Sequence, residues 1–478
     1  MMVYYGCTHC RGRQQTVMAA RGVVLVLLVL FWPCAPSWAE DPPTGSPASL
    51  SPPAQRISPQ ETPPASAPHS ASSRSHVDVL REAARLHPND AGAHYQLALG
   101  LLTPPSGDAA QPALAPDPSA SLLEPIQALR TTSRLKPEWI EPRLFLGETL
   151  FRAGDIDGAL SEYTRVVHLR RQEPRAHLGL AKGLIAKQDW PAAQVALKDA
   201  LREDPTLVEA RYLLGAVLYS QGRLRASIDA YRKTLWLKPE FTDAHHRLGL
   251  LLKLVNRERE AIKEFRLAAQ GGVPEARYFL GQAYRTGRGV APDLVQAIHW
   301  WIRATELGHG QALAALKQLR RVARANNSPK TSKQAADLLK AFSDYRSSLW
   351  QDFPELSPGP EEASVGLTLL NLGRDSEALP VLIREAWALS ESAQARLEGV
   401  YEQGTPGGMP AFDQRILRYL EQCATEDLPA SRVTLARIYF RGLGVPKDDG
   451  KVKALLKSLP KAERAGLWES LSSEKPLR

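Results

Sequence analysis

The sequence predicts an all-α solenoid of antiparallel helix pairs, and three observations carry that prediction. Columns of apolar or small residues recur every 34 positions through the middle of the chain, among them Leu146, Leu180, Leu214 and Leu248, then Leu150, Leu184, Leu218 and Leu252. Within each unit the columns form two groups at helical spacing, separated by a residue suited to positive φ. A third signal is the segment Tyr284 to Asp293, with Gly287 and Gly289, whose order of residue types returns in Tyr439 to Asp448 with Gly442 and Gly444. Such a unit cannot bury its faces alone, so stacked neighbours must supply the core.

The elements follow in order when units are counted from residues 140, 174, 208 and 242. Leucines at unit positions 7 and 11 line one face of a first helix. Gly147, Ala181, Gly215 and Gly249 at position 8 admit a close neighbour, and Gly154, Gly222 and Asn256 at position 15 end the helix. Ala159, Ala193, Ser227 and Ala261 at position 20 and Tyr163, Leu197, Tyr231 and Phe265 at position 24 give the second helix its packing face. Pro205 and Pro239 stop that helix.

This pattern resembles the tetratricopeptide repeat family, through the Leu-Gly pairs, the small residue at 20, the aromatic at 24 and the closing proline. The family's tryptophan at position 4 is replaced by Arg143, His177, Arg211 and His245. The segments around Gly287/Gly289 and Gly442/Gly444 are similar to Sel1-like repeats, and Leu397 to Gly404 resembles a degenerate third copy. The resemblance implies a right-handed superhelix. It divides the chain into four tetratricopeptide units over 140–273, a Sel1-like repeat over 274–325, an irregular connector over 326–362 and degenerate units of both kinds over 363–478. Residues 76–139 read as a degenerate repeat with a Pro/Ala-rich insert.

The N-terminus reads as an address. Arg21, the apolar run Gly22 to Trp32 and the small residues of Ser37-Trp38-Ala39 are the parts of a secretory signal peptide over 1–39, cut after Ala39. The run reaches about 16 Å, roughly half of a bilayer core, so a permanent span is disfavoured. An uncleaved run would anchor the body to a membrane, facing the periplasm. Met18 also serves as a start for this signal. The nine prolines and nine serines from Glu40 to Ser75 cannot support a core and predict a disordered linker over 40–75. The expected location is periplasmic or secreted.

Composition narrows the function. The chain holds 60 Lys and Arg against 51 Asp and Glu, net +9, with no long run of one sign, so a nucleic-acid arm is not expected. Of four cysteines, Cys7, Cys10 and Cys34 fall in the presumed signal and Cys423 is left alone. Cys7 and Cys10 have the spacing of half a zinc site or of a redox pair, with no second pair, and Cys34 lacks a good lipoprotein context. His245 and His246 are adjacent and point about 100° apart on a helix, which does not suit a shared ion. No nucleophile, phosphate-loop or metalloprotease motif appears. Trp300 and Trp301 read as hairpin packing. The expectation is therefore no enzyme, no metal and no cofactor.

What remains is a surface. The family resemblance implies a concave groove lined by first-helix positions 2, 5, 9, 12 and 13. Its expected contacts include Arg152, Arg175, Lys182, Tyr212, Tyr219, His246 and Lys253. Tyr212 and Tyr219 are the expected anchors, with Arg152 and Lys182 as flanking charges, and truncating both tyrosines should abolish capture without affecting melting. The partner is expected to be another protein, entering as an extended peptide or a helix. Together these readings give an exported, non-enzymatic scaffold for assembling an envelope or secretion complex. The alternatives are an exopolysaccharide-secretion scaffold, as in the alginate-system Sel1-like lipoprotein, and a cell-wall-modifying enzyme.

Overall fold

A computed structural model describes residues 76–103, 122–324, 329–356, 364–405, 408, 410–424, 429–457 and 464. The signal peptide and linker expectations, with Cys7, Cys10 and Cys34, lie outside the described residues. The described residues contain twenty-one α-helices, one short 3₁₀ turn and no strand.

Three helices come first: α1 (His76–Leu86), α2 (Ala91–Leu102) and α3 (Leu123–Leu135). The 34-residue units then give four pairs: α4 (Ile140–Arg152) with α5 (Ile156–Leu169), α6 (Pro174–Ala186) with α7 (Trp190–Glu203), α8 (Val208–Ser220) with α9 (Leu224–Leu237), and α10 (Thr242–Leu254) with α11 (Glu258–Gln270). Beyond them lie α12 (Pro274–Thr286), α13 (Leu294–Glu306), α14 (Gly310–Arg324), α15 (Pro329–Ser348), α16 (Val365–Asn371), α17 (Asp375–Trp387) and α18 (Glu391–Gln403). The last three are α19 (Gln414–Ala424), α20 (Pro429–Arg441) and α21 (Asp449–Leu456). Each helix of a pair packs on its partner and on the next pair, so the core is a string of apolar clusters along the stack.

The position-8 and position-24 columns explain the pairing. A Cβ on Gly147 would stand 2.8 Å from the Tyr163 ring, on Gly215 2.9 Å from Tyr231, and on Gly249 2.7 Å from Phe265. The ring therefore lies flush on the backbone of its own unit's first helix. In the second unit Ala181 takes the small position and Leu197 replaces the ring, both fully buried. The same relation recurs in α12/α13, where a Cβ on Gly281 would meet Trp301 at 2.5 Å, and in α16/α17, where one on Gly366 would meet Leu382 at 2.5 Å. At position 20 Ser227 is buried, and its hydroxyl donates to the Gly215 carbonyl at 2.6 Å.

The polar replacements at position 4 are structural donors. Arg143 Nε reaches the Pro137 carbonyl at 2.8 Å, and Arg211 Nη2 reaches that of Pro205 at 2.6 Å. His177 and His245 Nε2 meet the carbonyls of Arg171 and Pro239 at 2.8 and 2.7 Å. Each acceptor stands six residues back, where the preceding second helix has just ended and its carbonyls need partners. His94 at the same place in α2 does likewise to Pro88. The column continues with an eight-residue reach in Arg277, Gln394 and Arg432.

The glycine loops take the conformation their spacing predicts. Gly287, Gly289, Gly442 and Gly444 all have φ between 69° and 74°, a left-handed region that costs other residues energy. In both copies the aspartate amide closes the loop onto the tyrosine carbonyl, Asp293 to Tyr284 at 2.9 Å and Asp448 to Tyr439 at 3.2 Å. The degenerate copy closes two residues later, with the Phe412 amide on the Tyr401 carbonyl at 2.8 Å.

One expectation is corrected. The connector over 326–362 is not irregular throughout, because α15 occupies twenty of its residues. Ala335, Leu338, Ala341, Phe342 and Tyr345 recur at helical spacing and are buried. They have no counterparts 34 positions away, so a reading built on repeats passes over them.

Candidate functional site

The first helices of the four central units present the expected positions in three kinds. At position 2, Glu141, Arg175 and Asp243 are exposed and Glu209 half-buried. At position 9, Glu148 is exposed, and Lys182 Nζ meets Glu209 Oε1 of the next first helix at 2.7 Å. Position 12 carries half-buried Phe151, Ile185, Tyr219 and Lys253, beside exposed Arg152 and Leu254 at position 13. In the last two units position 9 is buried Ala216 and half-buried Leu250, so the surface is a row of charges of both signs at position 2, joined by Glu148 and Lys182, next to a partly apolar row. Arg152, Arg175, Lys182, Tyr219 and Lys253 fall on it.

Position 5 behaves differently. Leu144, Leu178 and His246 are buried, because the next first helix covers this turn. His246 is 8 % exposed, lies beside the stacked rings of Phe265 and Phe279, and leaves Nε2 without a partner among the described residues. Burial, reinforced by Arg247 and His309, depresses its pKa to about 3. It is a core residue, not an exposed groove contact. Tyr212 is half-buried, with its ring 5.6 Å from Tyr231 and 5.0 Å from Phe241, and burial raises its hydroxyl. Truncating it removes packing, so the expectation of unchanged melting does not survive. Tyr219 also packs partly on the apolar core.

The adjacent His245 titrates in the opposite sense. Its burial opposes protonation, but the Glu264 carboxylate 2.6 Å from Nδ1 and the Pro239 carbonyl outweigh this and raise its pKa. The two histidines therefore oppose each other in acid. Below the unfolded pKa of about 6.5, His246 protonates in the unfolded chain first and costs stability as pH falls toward 3. His245 gives stability that is full below 6.5 and is lost as pH rises through its raised folded value. His246→Leu should lose less stability than the parent between pH 6.5 and 4, whereas Glu264→Gln should lose more. Urea melts at three pH values check both signs.

Phe279 was not expected here. It sits under Lys253, whose ammonium stands 4.2 Å from the ring centroid, and burial lowers the ammonium's pKa. The signal was present in Pro274 and Ala276, which repeat Pro174 and Ala176 and begin a fifth first helix two residues ahead of the 34-residue period. Among the described residues no three metal-ligating side chains cluster, and no helix is long and apolar enough to cross a membrane.

The Sel1 repeat model matches residues 274–309 and 434–455, and a tetratricopeptide repeat model matches 150–215. The chain carries tetratricopeptide and Sel1 repeats. The tetratricopeptide match falls inside the units at α4 to α8, and the Sel1 matches fall on α12/α13 and α20/α21. No curated protein matches. Similar solved structures include MamA, 26 % identical over 34 % of this chain and all of that one, with a TM-score of 0.31. YrrB, described as a TPR protein with an unusual peptide-binding site, is 20 % identical over 40 % of this chain and 99 % of its own, with a TM-score of 0.34. The protective antigen c5321 of uropathogenic Escherichia coli, which displays an SLR fold, is 16 % identical over 84 % of this chain and 94 % of its own, with a TM-score of 0.39.

Proposed function

We propose that this chain is an exported, non-catalytic scaffold whose tetratricopeptide first helices hold a segment of another protein during assembly of an envelope or secretion complex. The observation that carries the binding reading is the pair of rows on α4, α6, α8 and α10. Charges of both signs, exposed at Glu141, Glu148, Arg175 and Asp243 and half-buried at Lys182 and Glu209, run beside half-buried Phe151, Ile185 and Tyr219. An extended peptide or an amphipathic helix meets such a surface with apolar anchors on one row and charges on the other. Export rests on the signal-peptide pattern ending at Ala39.

In-cell crosslinking of the tagged full chain, with mass spectrometry of the captured proteins, tests the proposal beside Arg175→Glu/Lys182→Glu. Envelope proteins captured by the parent and lost from the variant are the expected result. Identical sets from both would remove the groove reading. N-terminal sequencing of the mature protein tests export separately: a chain starting at Glu40 supports it, and one retaining the apolar run contradicts cleavage.

A further inference from the structure

An arginine-rimmed cavity lies in the C-terminal half, and none of its lining residues belongs to the groove. It has a volume of about 230 Å³ and opens between α13, α17 and α19. Its apolar wall includes Pro380, Ile383, Trp387 and Tyr419. The Trp387 and Tyr419 rings meet edge to face at 5.2 Å and are themselves buried, so the wall is rigid.

The rim is cationic. Arg384, Arg415 and Arg418 line the cavity, with Glu306 the one carboxylate among the lining residues. Arg384 Nε meets Glu306 Oε1 at 2.5 Å, and Arg415 meets Asp413 at 2.8 Å. Arg418 is exposed and has no ion pair among the described residues. Two further arginines surround Arg384. Arg303 lies 3.9 Å from Asp352, while Arg277 donates to the carbonyls of Ala269 and Arg303 and has no ion pair among the described residues. Among the described residues the three lining guanidiniums have two carboxylate partners, Glu306 and Asp413, an excess of one positive charge. Thr305 also lines the cavity, is 3 % exposed, and has a hydroxyl with no partner among the described residues.

We propose that this cavity docks an acidic segment of a partner protein, taking an apolar side chain against half-buried Pro380 and Ile383, which the buried Trp387 and Tyr419 rings support from behind, and a neighbouring aspartate or glutamate carboxylate on Arg418 and Arg415. Guanidinium forks suit a carboxylate in paired hydrogen bonds; Arg415 retains donors beyond those used on Asp413, and Arg418 has no ion pair among the described residues. The apolar wall favours a peptide over a free phosphate, which would leave it empty. The two buried rings offer no exposed face on which a nucleobase could stack. Because no groove residue takes part, this site stands or falls independently of the groove.

The test pans the full chain against a phage-displayed random decapeptide library and repeats the selection with Arg415→Glu/Arg418→Glu. Both side chains are exposed, so helicity and melting should match the parent. The parent should enrich peptides with Asp or Glu within two residues of Leu, Ile, Phe or Trp. Such a peptide, resynthesised, should bind the parent at least tenfold more tightly than the variant, and its glutamine counterpart should lose a similar factor. Binding to Arg175→Glu/Lys182→Glu should be unchanged. Absence of acidic enrichment, equal binding to the reversed-charge variant, or loss only in the groove variant would each overturn the proposal.

Discussion

Tyr231→Ala should destabilise the tetratricopeptide stack by about 3–5 kcal/mol, the range for deleting a large buried ring. Tyr231 is 2 % exposed, lies on the Gly215 backbone and carries the Tyr212 ring on its other flank. Its removal opens a cavity between both helices of the unit, and rigid helix backbones cannot close it. The converse change, Gly215→Trp, should destabilise by at least about 1–3 kcal/mol through overpacking at the same contact. Trp236→Ala supplies the contrast, since that ring is 81 % exposed and should shift the midpoint hardly at all. Urea unfolding of the three variants, followed by circular dichroism, should rank them in that way.

The second large effect is electrostatic. Arg143 and Glu162 join α4 to α5 at 2.9 Å, with side chains only 10 % and 11 % exposed. Glu162→Ala should cost about 3 kcal/mol, because it leaves a guanidinium buried without its counter-charge. The estimate is at the low end of that range because Arg143 keeps the Pro137 and Ser133 carbonyls as acceptors. Removing both charges with Arg143→Met/Glu162→Leu should cost less than Glu162→Ala alone, the remaining loss coming from the Pro137 and Ser133 carbonyls that lose their donor. Denaturation midpoints of the single and double variants measure the difference.

Legibility in the sequence followed the range of the interaction. Contacts within one unit were readable, because Gly147 and Tyr163, or Gly215 and Tyr231, stand at a fixed offset that the 34-residue period repeats. Contacts between units were not. Position 4 reads as a loss of tryptophan, whereas its arginines and histidines satisfy carbonyls at the end of the preceding unit. His246 reads as a groove residue because the family places position 5 there, yet the fifth first helix covers it with Phe279. That helix starts two residues ahead of the period, so the covering ring fell outside the register. The α15 helix and the arginine-rimmed cavity lack repeated counterparts, and their residues meet only through the tertiary fold.

The claim that the first-helix surface holds a protein segment is tested most directly by a photo-crosslinking scan. Benzoylphenylalanine is placed singly at exposed groove positions Glu141, Glu148, Arg175 and Asp243, and at exposed second-helix positions Val195 and Trp236. The account predicts one common partner crosslinked from adjacent groove positions, with none from Val195 or Trp236. Crosslinks arising only from Val195 and Trp236 would contradict it and move recognition to the second helices.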